Sequence, residues 1–407
     1  MTFRVALSGL NAASTDLEVT GNNIANASTT GFKESRAEFA DVYANSVLDR
    51  SSTAAGQGVR VARIAQQFTQ GVVEFTSNNL DLAINGEGFF TMADTNGTQV
   101  FTRAGAFSAD REGYVVNHAG QRLQVYPATT SAAGTTTFNT GLVTDLQLPT
   151  QPSPPTASSD IYAALNLDAQ QVAPTTAFDI NDPTSFNHST SIVTYDSLGN
   201  DHTATMYFRK TGANTWDTYL YMDGTAVGGA NQLTFTSSGA LQSPANGLVT
   251  LPAYNPPGAA AMNLTVDFGD TTQYGGPFAV NSLGQDGFSS GRLSGVDIDA
   301  DGVVFARYTN GQSSAIGKVA LAKFNNAQGL RQTGDTNWVE TFTSGNAQLG
   351  EAGTSSFGAI QSGALEASTV DIAQQLVNLI TAPRNFQANA QVITTSDAIT
   401  QTVINLR

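Results

Sequence analysis

The sequence predicts a mixed, multidomain protein: α-helical coiled-coil termini plus two mainly β domains, nested so that an outer β domain is inserted in an inner β domain. Three observations support this prediction. Apolar residues recur every seven positions at both ends of the 407-residue chain, which is the spacing of a coiled-coil helix. Between the ends the pattern changes to the alternation typical of strands. A proline-rich stretch, LPTQPSPPTASS (148–159), separates two β-rich regions and is typical of an extended linker.

The N-terminal helix is predicted by its heptad repeat. Phe3, Leu10, Leu17 and Ile24 are seven residues apart, and Leu7 adds the intermediate step. A helix of this extent, about 24 residues, is about 36 Å long. The stretch that follows, GNNIANASTTGFK (21–33), ends the helix because Gly and Asn readily adopt turn and left-handed conformations.

The C-terminus repeats the pattern, in a helix predicted from about residue 369 to the end. Ser368 followed by Asp371 resembles a capping box. Pro383 lies inside this helix and removes the hydrogen bond to the Leu379 carbonyl, which predicts a bend near 379–383. The apolar rows consist of Leu365, Ile372, Leu376, Leu379, Phe386, Ile393 and Ile404.

Few charges flank either helical seam, and the first 31 residues carry only Arg4, Asp16 and Glu18. An ordinary exposed coiled coil carries charged residues beside its seam. We therefore expect both ends to pair and then to pack against other copies of the chain. Because isolated helices of this kind are marginal in water, we expect them to be largely unfolded in the monomer. A plain intramolecular helical hairpin is the alternative.

The predicted domain boundaries follow these changes of pattern. LDLAINGEGFFTM (80–92) and VDIDADGVVFARYTNGQ (296–312) predict strands and hairpins of the inner domain. The predicted domains are 1–30 and 365–407, the terminal helical coiled-coil domain; 31–69 and 359–364, a linker region; 70–145 and 285–358, the inner β domain; and 146–284, the inserted outer β domain.

Composition excludes several classes of function. The net charge is −15, with only 18 Lys and Arg residues, which argues against binding to nucleic acid or to anionic membranes. No apolar run approaches the roughly 18 residues that membrane insertion requires. Cysteine is absent, so disulfides and thiol chemistry are excluded. No signal peptide is visible, which predicts either a cytoplasmic protein or an export route that reads no cleaved signal.

No pattern predicts catalysis, a cofactor or a metal. Asp297, Asp299 and Asp301 copy the start of a calcium loop, but Tyr308 occupies the twelfth position where that loop needs a carboxylate. We predict a type I′ hairpin turn there instead. There is no phosphate-binding loop and no nucleophile elbow. The histidines lack metal-ligand spacing and are assigned to exposed turns: His118, His188 and His202.

Three segments resemble signatures of the bacterial flagellar rod and hook family. They are SGLNAASTDLEVTGNNIANASTTGFK near the start, LDLAINGEGFF inside, and GALEASTVDIAQQLVNLITAPRNFQANAQVITTSDAITQTVINLR at the end. The distal rod protein of this family lacks a large inserted outer domain. The long segment 146–284, with VTYDSLGN (193–200), is instead similar to hook subunits.

The resemblance implies a structural subunit, not an enzyme. Such subunits would polymerise into a curved flexible tube, a universal joint that transmits motor torque to the filament. The implied partners are further copies of the chain, the distal rod protein, the hook cap protein, hook–filament junction proteins and the flagellar type III export apparatus. The expected location is the extracellular flagellum, reached by export of the unfolded chain. The alternatives are a distal rod protein and, in a different class, a secreted β-rich surface adhesin.

Overall fold

A computed structural model shows a mostly β protein with an α-helix at each end. It describes residues 2–42, 56–130, 135–354 and 356–405. The chain forms two compact units. The first unit comprises Met1–Thr150, Gly295–Arg307 and Ser313–Arg407, and the second unit comprises Gln151–Ser294 and Tyr308–Gln312.

The two helices are α1 (Thr2–Ala25) and α2 (Ile372–Asn405). Asp371 caps α2, because its Oδ1 accepts hydrogen bonds from the backbone N–H groups of Ala373 at 2.9 Å and Gln374 at 3.2 Å. The predicted capping box at Ser368 and the helix start near residue 369 were therefore wrong. The backbone before Asp371 makes hydrogen bonds outside the helix, since the Thr369 N–H donates to the Phe32 carbonyl at 3.1 Å.

The strands of the described residues fall into three groups along the chain. The first group is β1 (Ser35–Asp41), β2 (Val59–Gln66), β3 (Val73–Phe75), β4 (Leu82–Asn85), β5 (Phe89–Ala93), β6 (Gln99–Thr102), β7 (Ser108–Ala109), β8 (Val115–Val116), β9 (Arg122–Thr130), β10 (Thr136–Phe138) and β11 (Thr144–Asp145). The second is β12 (Asp160–Asn166), β13 (His188–Tyr195), β14 (Asp201–Gly212), β15 (Thr215–Met222), β16 (Thr225–Ala226), β17 (Asn231–Phe235), β18 (Leu241–Ser243), β19 (Leu248–Thr250), β20 (Thr265–Asp267) and β21 (Ala279–Gln285). The third is β22 (Leu293–Ile298), β23 (Val303–Tyr308), β24 (Ser313–Lys323), β25 (Arg331–Gly334), β26 (Asn337–Val339), β27 (Gln348–Glu351), β28 (Ala359–Ser362) and β29 (Ala364–Glu366).

The first unit is built on a large sheet whose central path is β22-β23-β24-β9-β5-β6-β26-β25. Strands from both ends of the chain meet in it, since β24 pairs with β5 and β9. Three two-stranded sheets accompany it: β1-β2, β28-β4 and β29-β3. In the β29-β3 sheet, strand β29 ends at Glu366, just before α2 begins at Ile372. The start of α2 is therefore attached to the β structure of this unit.

The second unit contains a four-stranded sheet, β19-β20-β12-β21, and a six-stranded sheet with the path β13-β14-β15-β17-β18. Buried and half-buried residues alternate strictly along β15, as expected for a strand that packs one face on a core. Both sheets contribute side chains to that core, which includes Phe208, Trp216 and Phe268.

Two local predictions need correction. The turn from Asp299 to Gly302 joins β22 to β23, but only Gly302 has a positive φ, of 79°. A type I′ turn needs positive φ at both central residues, so this turn is not type I′. Of the histidines, only His118 lies in an exposed turn; His188 is in β13 and His202 in β14, where neither side chain is exposed.

Candidate assembly surface on the paired terminal helices

The terminal helices pair antiparallel. Near one end of the pair Gly9 lies against Asn389, and near the other Asn23 Nδ2 donates to Gln375 Oε1 at 3.3 Å. A Cβ placed on Gly9 would stand 2.5 Å from Asn389 Oδ1. The two helices therefore approach closely here, because at this position α1 has no side chain.

Small and polar residues form most of the buried face of the helices, where α1 packs on α2 and also on β1 and β2. The buried helical side chains are Ala6, Ala12, Ala13, Val19, Thr20, Asn23, Gln375 and Ala382. Most of the α1 members repeat at seven-residue intervals: Ala6, Ala13 and Thr20 form one row, and Ala12 and Val19 form another. Both rows lie beside the predicted row of large apolar residues. The buried face of the helix pair is thus lined mostly by small side chains.

Most of the residues predicted to form the seams lie at the margin of this contact or outside it. Phe386 is 38% exposed and Ile404 66% exposed. The exposed members are Phe3, Leu7, Ile372, Leu376, Leu379, Phe386 and Ile404; the half-buried members are Leu10, Leu17, Ile24 and Ile393. Leu365 was wrongly assigned to a helix, since it lies in β29. Helix α2 continues through Pro383, and the bend at 379–383 stays a prediction.

The polar stretch 21–33, whose first five residues form the last turn of α1, attaches the helix to β1. The Asn23 amide makes two hydrogen bonds with the backbone of Ser35, donating to its carbonyl at 2.7 Å and accepting from its N–H at 3.0 Å. Gly31 has a φ of 69°, and a Cβ there would stand 2.5 Å from the Ala104 nitrogen. Glycine is required at this position because both the backbone conformation and the space exclude a side chain.

Sequence reasoning missed a cluster of three buried charges, which we call the ionic junction: Lys33, Arg103 and Glu366. Lys33 Nζ lies 2.6 Å from Glu366 Oε1, and Arg103 Nη1 lies 3.3 Å from Glu366 Oε2. The Glu366 side chain is fully buried. The ionic junction joins the residues after α1 and before α2 to the β structure of the first unit.

Further bonds complete the ionic junction. Lys33 Nζ donates to the Thr69 carbonyl at 2.7 Å, and the Gly71 N–H donates to Glu366 Oε1 at 2.7 Å. Burial lowers the pKa of Lys33, and the charge of Glu366 opposes this shift. Burial likewise lowers the pKa of Arg103. Glu366 is thus the anion that makes the burial of two cations tolerable.

The described residues offer no group of metal-ligating side chains. Within the same ranges, neither helix is long and apolar enough to cross a membrane. What the helix pair presents is an apolar surface, which suits association with other protein.

Models of flagellar protein families match the chain in four segments. Residues 3–33 match "Flagella basal body rod protein", and residues 83–163 match "Flagellar hook protein FlgE/F/G D1 domain". Residues 166–288 match "Flagellar basal body protein FlaE D2 domain", and residues 361–406 match "Flagellar basal body rod FlgEFG protein C-terminal". The first segment contains all of α1 except Thr2, and the last contains the whole of α2.

Curated relatives match over the whole chain. Flagellar hook protein FlgE of Salmonella typhimurium is 38% identical over 423 residues, covering 100% of both chains. That of Escherichia coli strain K12 is 39% identical, also with 100% coverage of both. The chain belongs to the flagellar hook protein family. Membership makes it a structural subunit of the hook, not an enzyme.

More distant hook proteins agree with this assignment. Flagellar hook protein FlgE of Borreliella burgdorferi is 34% identical, covering 98% of each chain. The crystal structure of Helicobacter pylori flagellar hook protein FlgE2 superposes with a TM-score of 0.53, covering 72% of this chain and 100% of that one. At 15% identity, this likeness concerns the fold alone.

Proposed function

We propose that this hook subunit polymerises through its paired terminal helices into a curved flexible tube. The tube acts as a universal joint that transmits motor torque to the filament. The observation that carries the proposal is the row of large apolar side chains that the single chain leaves exposed on α1 and α2.

The exposed apolar surface includes large side chains from both helices. Its members include Phe3, Leu7, Ile372, Leu376, Val377, Ile380, Phe386, Val392 and Ile399. Fully burying one such side chain contributes about 1.5–3 kcal/mol, so contacts with neighbouring copies can stabilise helices that are marginal alone. The scarcity of charge on these helices favours burial on several sides.

The proposed arrangement in the hook places the terminal helices as a coiled-coil layer around a central channel. The β domains, with the outer one inserted in the inner one, form the layers outside it. At its ends the tube meets the distal rod protein, the hook–filament junction proteins and, during growth, the hook cap protein. The chain reaches this extracellular site unfolded, through the flagellar type III export apparatus. These partners and this route are supported by family membership and by the low charge of the helices.

The proposal is tested by polymerising the purified full-length chain in concentrated ammonium sulfate, which strengthens apolar association. Electron microscopy should show curved tubes. Leu376→Ser and Phe386→Ser should raise the protein concentration needed for polymerisation about tenfold or more. Leu142→Ser is the matched control, because Leu142 is similarly exposed but lies outside both helices.

Straight tubes would contradict the proposal that the subunit forms a curved tube. Equal polymerisation by the helix variants and the Leu142→Ser control would contradict the assignment of assembly to the helix pair. Circular dichroism of each monomer before salt is added shows that the substituted chains remain folded.

A further inference from the structure

Polar residues join α1, α2 and the start of β1 at one place, which we call the polar node: Asn23, Glu34, Ser35 and Gln375. Gln375 lies in the first turn of α2, where its backbone N–H donates to the Asp371 carbonyl at 3.0 Å. Asn23 is 1% exposed and Gln375 is 2% exposed. Two amide side chains are thus buried where both helices meet the β structure of the first unit.

In the polar node each of three parts of the chain is hydrogen-bonded to the other two. Between the helices, Asn23 Nδ2 donates to Gln375 Oε1 at 3.3 Å. Between α1 and β1, the Asn23 amide makes its two bonds with the Ser35 backbone. Between α2 and the residue before β1, Gln375 Nε2 donates to Glu34 Oε1 at 2.8 Å. These bonds form a closed triangle, so a change in the direction of either helix breaks at least one of them.

Glu34 is a fixed support for the bond from α2. Its backbone N–H donates to Thr369 Oγ1 at 2.8 Å, and its carbonyl accepts a hydrogen bond from the Gln67 N–H at 2.7 Å. Its side chain is half-buried. Because the backbone of Glu34 is held on both sides, Gln375 is bonded to a group that belongs to the β structure and not to the helix pair.

The remaining contacts guide α2 less than they guide α1. Helix α1 has a further bond to the β1-β2 hairpin, since the Val59 N–H donates to Ser8 Oγ at 3.1 Å. The buried face of α2 includes Ala382, whose apolar contacts are non-directional. A buried polar network whose members are satisfied instead specifies one arrangement. The direction of α2 therefore depends chiefly on Gln375.

We propose that Gln375 is a positioning residue, which fixes the direction in which α2 leaves the first unit. This inference rests on the proposed function, because in the polymer this direction sets how the helices of one copy lie relative to its own inner β structure. A subunit with one fixed direction adds to a growing tube in one way. Bending of the tube is then taken up between copies and not at the start of α2.

The test measures a distance within single copies in assembled tubes. The chain has no cysteine, so Thr95→Cys and Thr400→Cys provide two unique sites for spin labels. Thr95 is exposed in the turn between β5 and β6, and Thr400 is exposed on α2. Labelled chain is diluted into unlabelled chain of the same variant, so that double electron–electron resonance reads only the distance between the two labels of one copy.

Two neighbouring glutamines give a matched comparison. Gln375→Met keeps a side chain of similar length but removes both hydrogen bonds, and it should broaden the distance distribution about twofold or more, because α2 can then take several directions. Gln374→Met is the control. Gln374 is exposed and donates within α2 to Asn378 Oδ1 at 3.2 Å, so its replacement should leave the width unchanged.

Substitutions of Glu34 repeat the test from the other side of the bond. Glu34→Gln keeps an oxygen that accepts from Gln375 and should retain the width of the parent chain. Glu34→Leu removes the acceptor and should broaden the distribution as Gln375→Met does. This pair decides the question should Gln375→Met fail to form tubes. A residue that only stabilised the fold would change the urea concentration at which the first unit unfolds, but not this width.

A narrow distribution in the Gln375→Met tubes, or equal broadening by Gln374→Met, would overturn the positioning role. Equal broadening by Glu34→Gln and Glu34→Leu would overturn it as well, since the bond to Gln375 would then not be the cause. These outcomes are separate from failure of the proposed function, because that function is judged by the curvature of the parent tubes and by the apolar variants Leu376→Ser and Phe386→Ser.

Discussion

The terminal helices and the second unit bury their apolar residues in opposite ways. In the second unit, β14 and β15 turn Phe208, Trp216 and Met222 into a core where each is essentially inaccessible to solvent. On α2, by contrast, the large apolar residues face outward while Ala382 and Gln375 are buried. The first arrangement is complete in one chain, whereas the second leaves large apolar side chains exposed, which the proposed polymer would cover.

The difference teaches that apolar periodicity alone does not show which molecule covers a face. A strand of the second unit finds its partners within the same domain. On the helices the small residues are buried and the large apolar ones are exposed, and in the proposed polymer other copies would cover these exposed residues. If the polymer covers the exposed row, stability and assembly depend on different side chains, and substitution can separate them.

The largest expected effect is a contrast between two phenylalanines. Phe208→Ala should lower the free energy of unfolding of the second unit by about 3–5 kcal/mol, because it opens a cavity in a closed core. Phe386→Ala should lower the free energy of unfolding of the monomer by only about 1–2 kcal/mol, because its side chain is 38% exposed and no closed cavity results. The chain has two tryptophans, so urea unfolding followed by Trp216 fluorescence in a Trp338→Phe background reports on the second unit. If Phe386→Ala lowered the free energy of unfolding as much as Phe208→Ala, the contrast between the helices and the second unit would be wrong.

The ionic junction extends the comparison between helices and β structure, since it attaches the ends of the helices to the β structure of the first unit. Glu366→Gln should cost the first unit about 3–5 kcal/mol, because it leaves two buried cations without their anion. Lys33→Met should cost less, since Arg103 and Glu366 still pair. Trp338 fluorescence during urea unfolding, in a Trp216→Phe background, measures both. If the two variants lost the same free energy of unfolding, the claim that Glu366 neutralises both buried cations would be wrong.

The smallest expected effect concerns a charge held within the second unit. His202 Nδ1 lies 2.6 Å from Asp223 Oδ2, and Nε2 lies 3.4 Å from Asp196 Oδ2. Both ring nitrogens can donate only in the imidazolium form. Burial alone would lower the pKa of His202, but its bonds to Asp223 and Asp196 outweigh burial and raise it.

The sign of the pH dependence follows from this raised pKa. The contribution of His202 to stability is fully present below about pH 6.5, the unfolded value, and is lost as pH rises through the folded pKa. Urea unfolding of the second unit from about pH 5.5 to about pH 9 should show this decline. His202→Asn should flatten it, whereas His118→Asn, in an exposed turn, should leave it unchanged. An identical slope in the His202→Asn variant would exclude the histidine as its cause.

Much of the architecture could be predicted because it depends on local or periodic signals. The heptads at both ends predicted two terminal helices, and alternation predicted strands between them. The face that each helix buries could not be predicted, because Ala and Thr carry a weak periodic signal beside Phe and Leu. Leu365 was misplaced because it continues the seven-residue spacing in a strand.

The ionic junction and the histidine contacts lay beyond sequence reasoning for a different reason. Lys33, Arg103 and Glu366 are far apart in the chain, and no spacing rule brings them together. A single His in a strand such as β14 gives no period either. The positions of two members along the chain could have drawn attention to the ionic junction. Lys33 ends the polar stretch 21–33, and Glu366 precedes α2 by a few residues.

The close seam at Gly9 and Asn389 has a mechanical consequence. The separation of two packed helices is set by the side chains between them, so mostly small buried side chains make the helix pair a thin rod. Resistance to bending depends steeply on thickness, whereas resistance to stretching depends only on cross-section and on the bonds along the axis. In the proposed tube, a wall built from such rods would yield readily when it flexes sideways while keeping its length under tension.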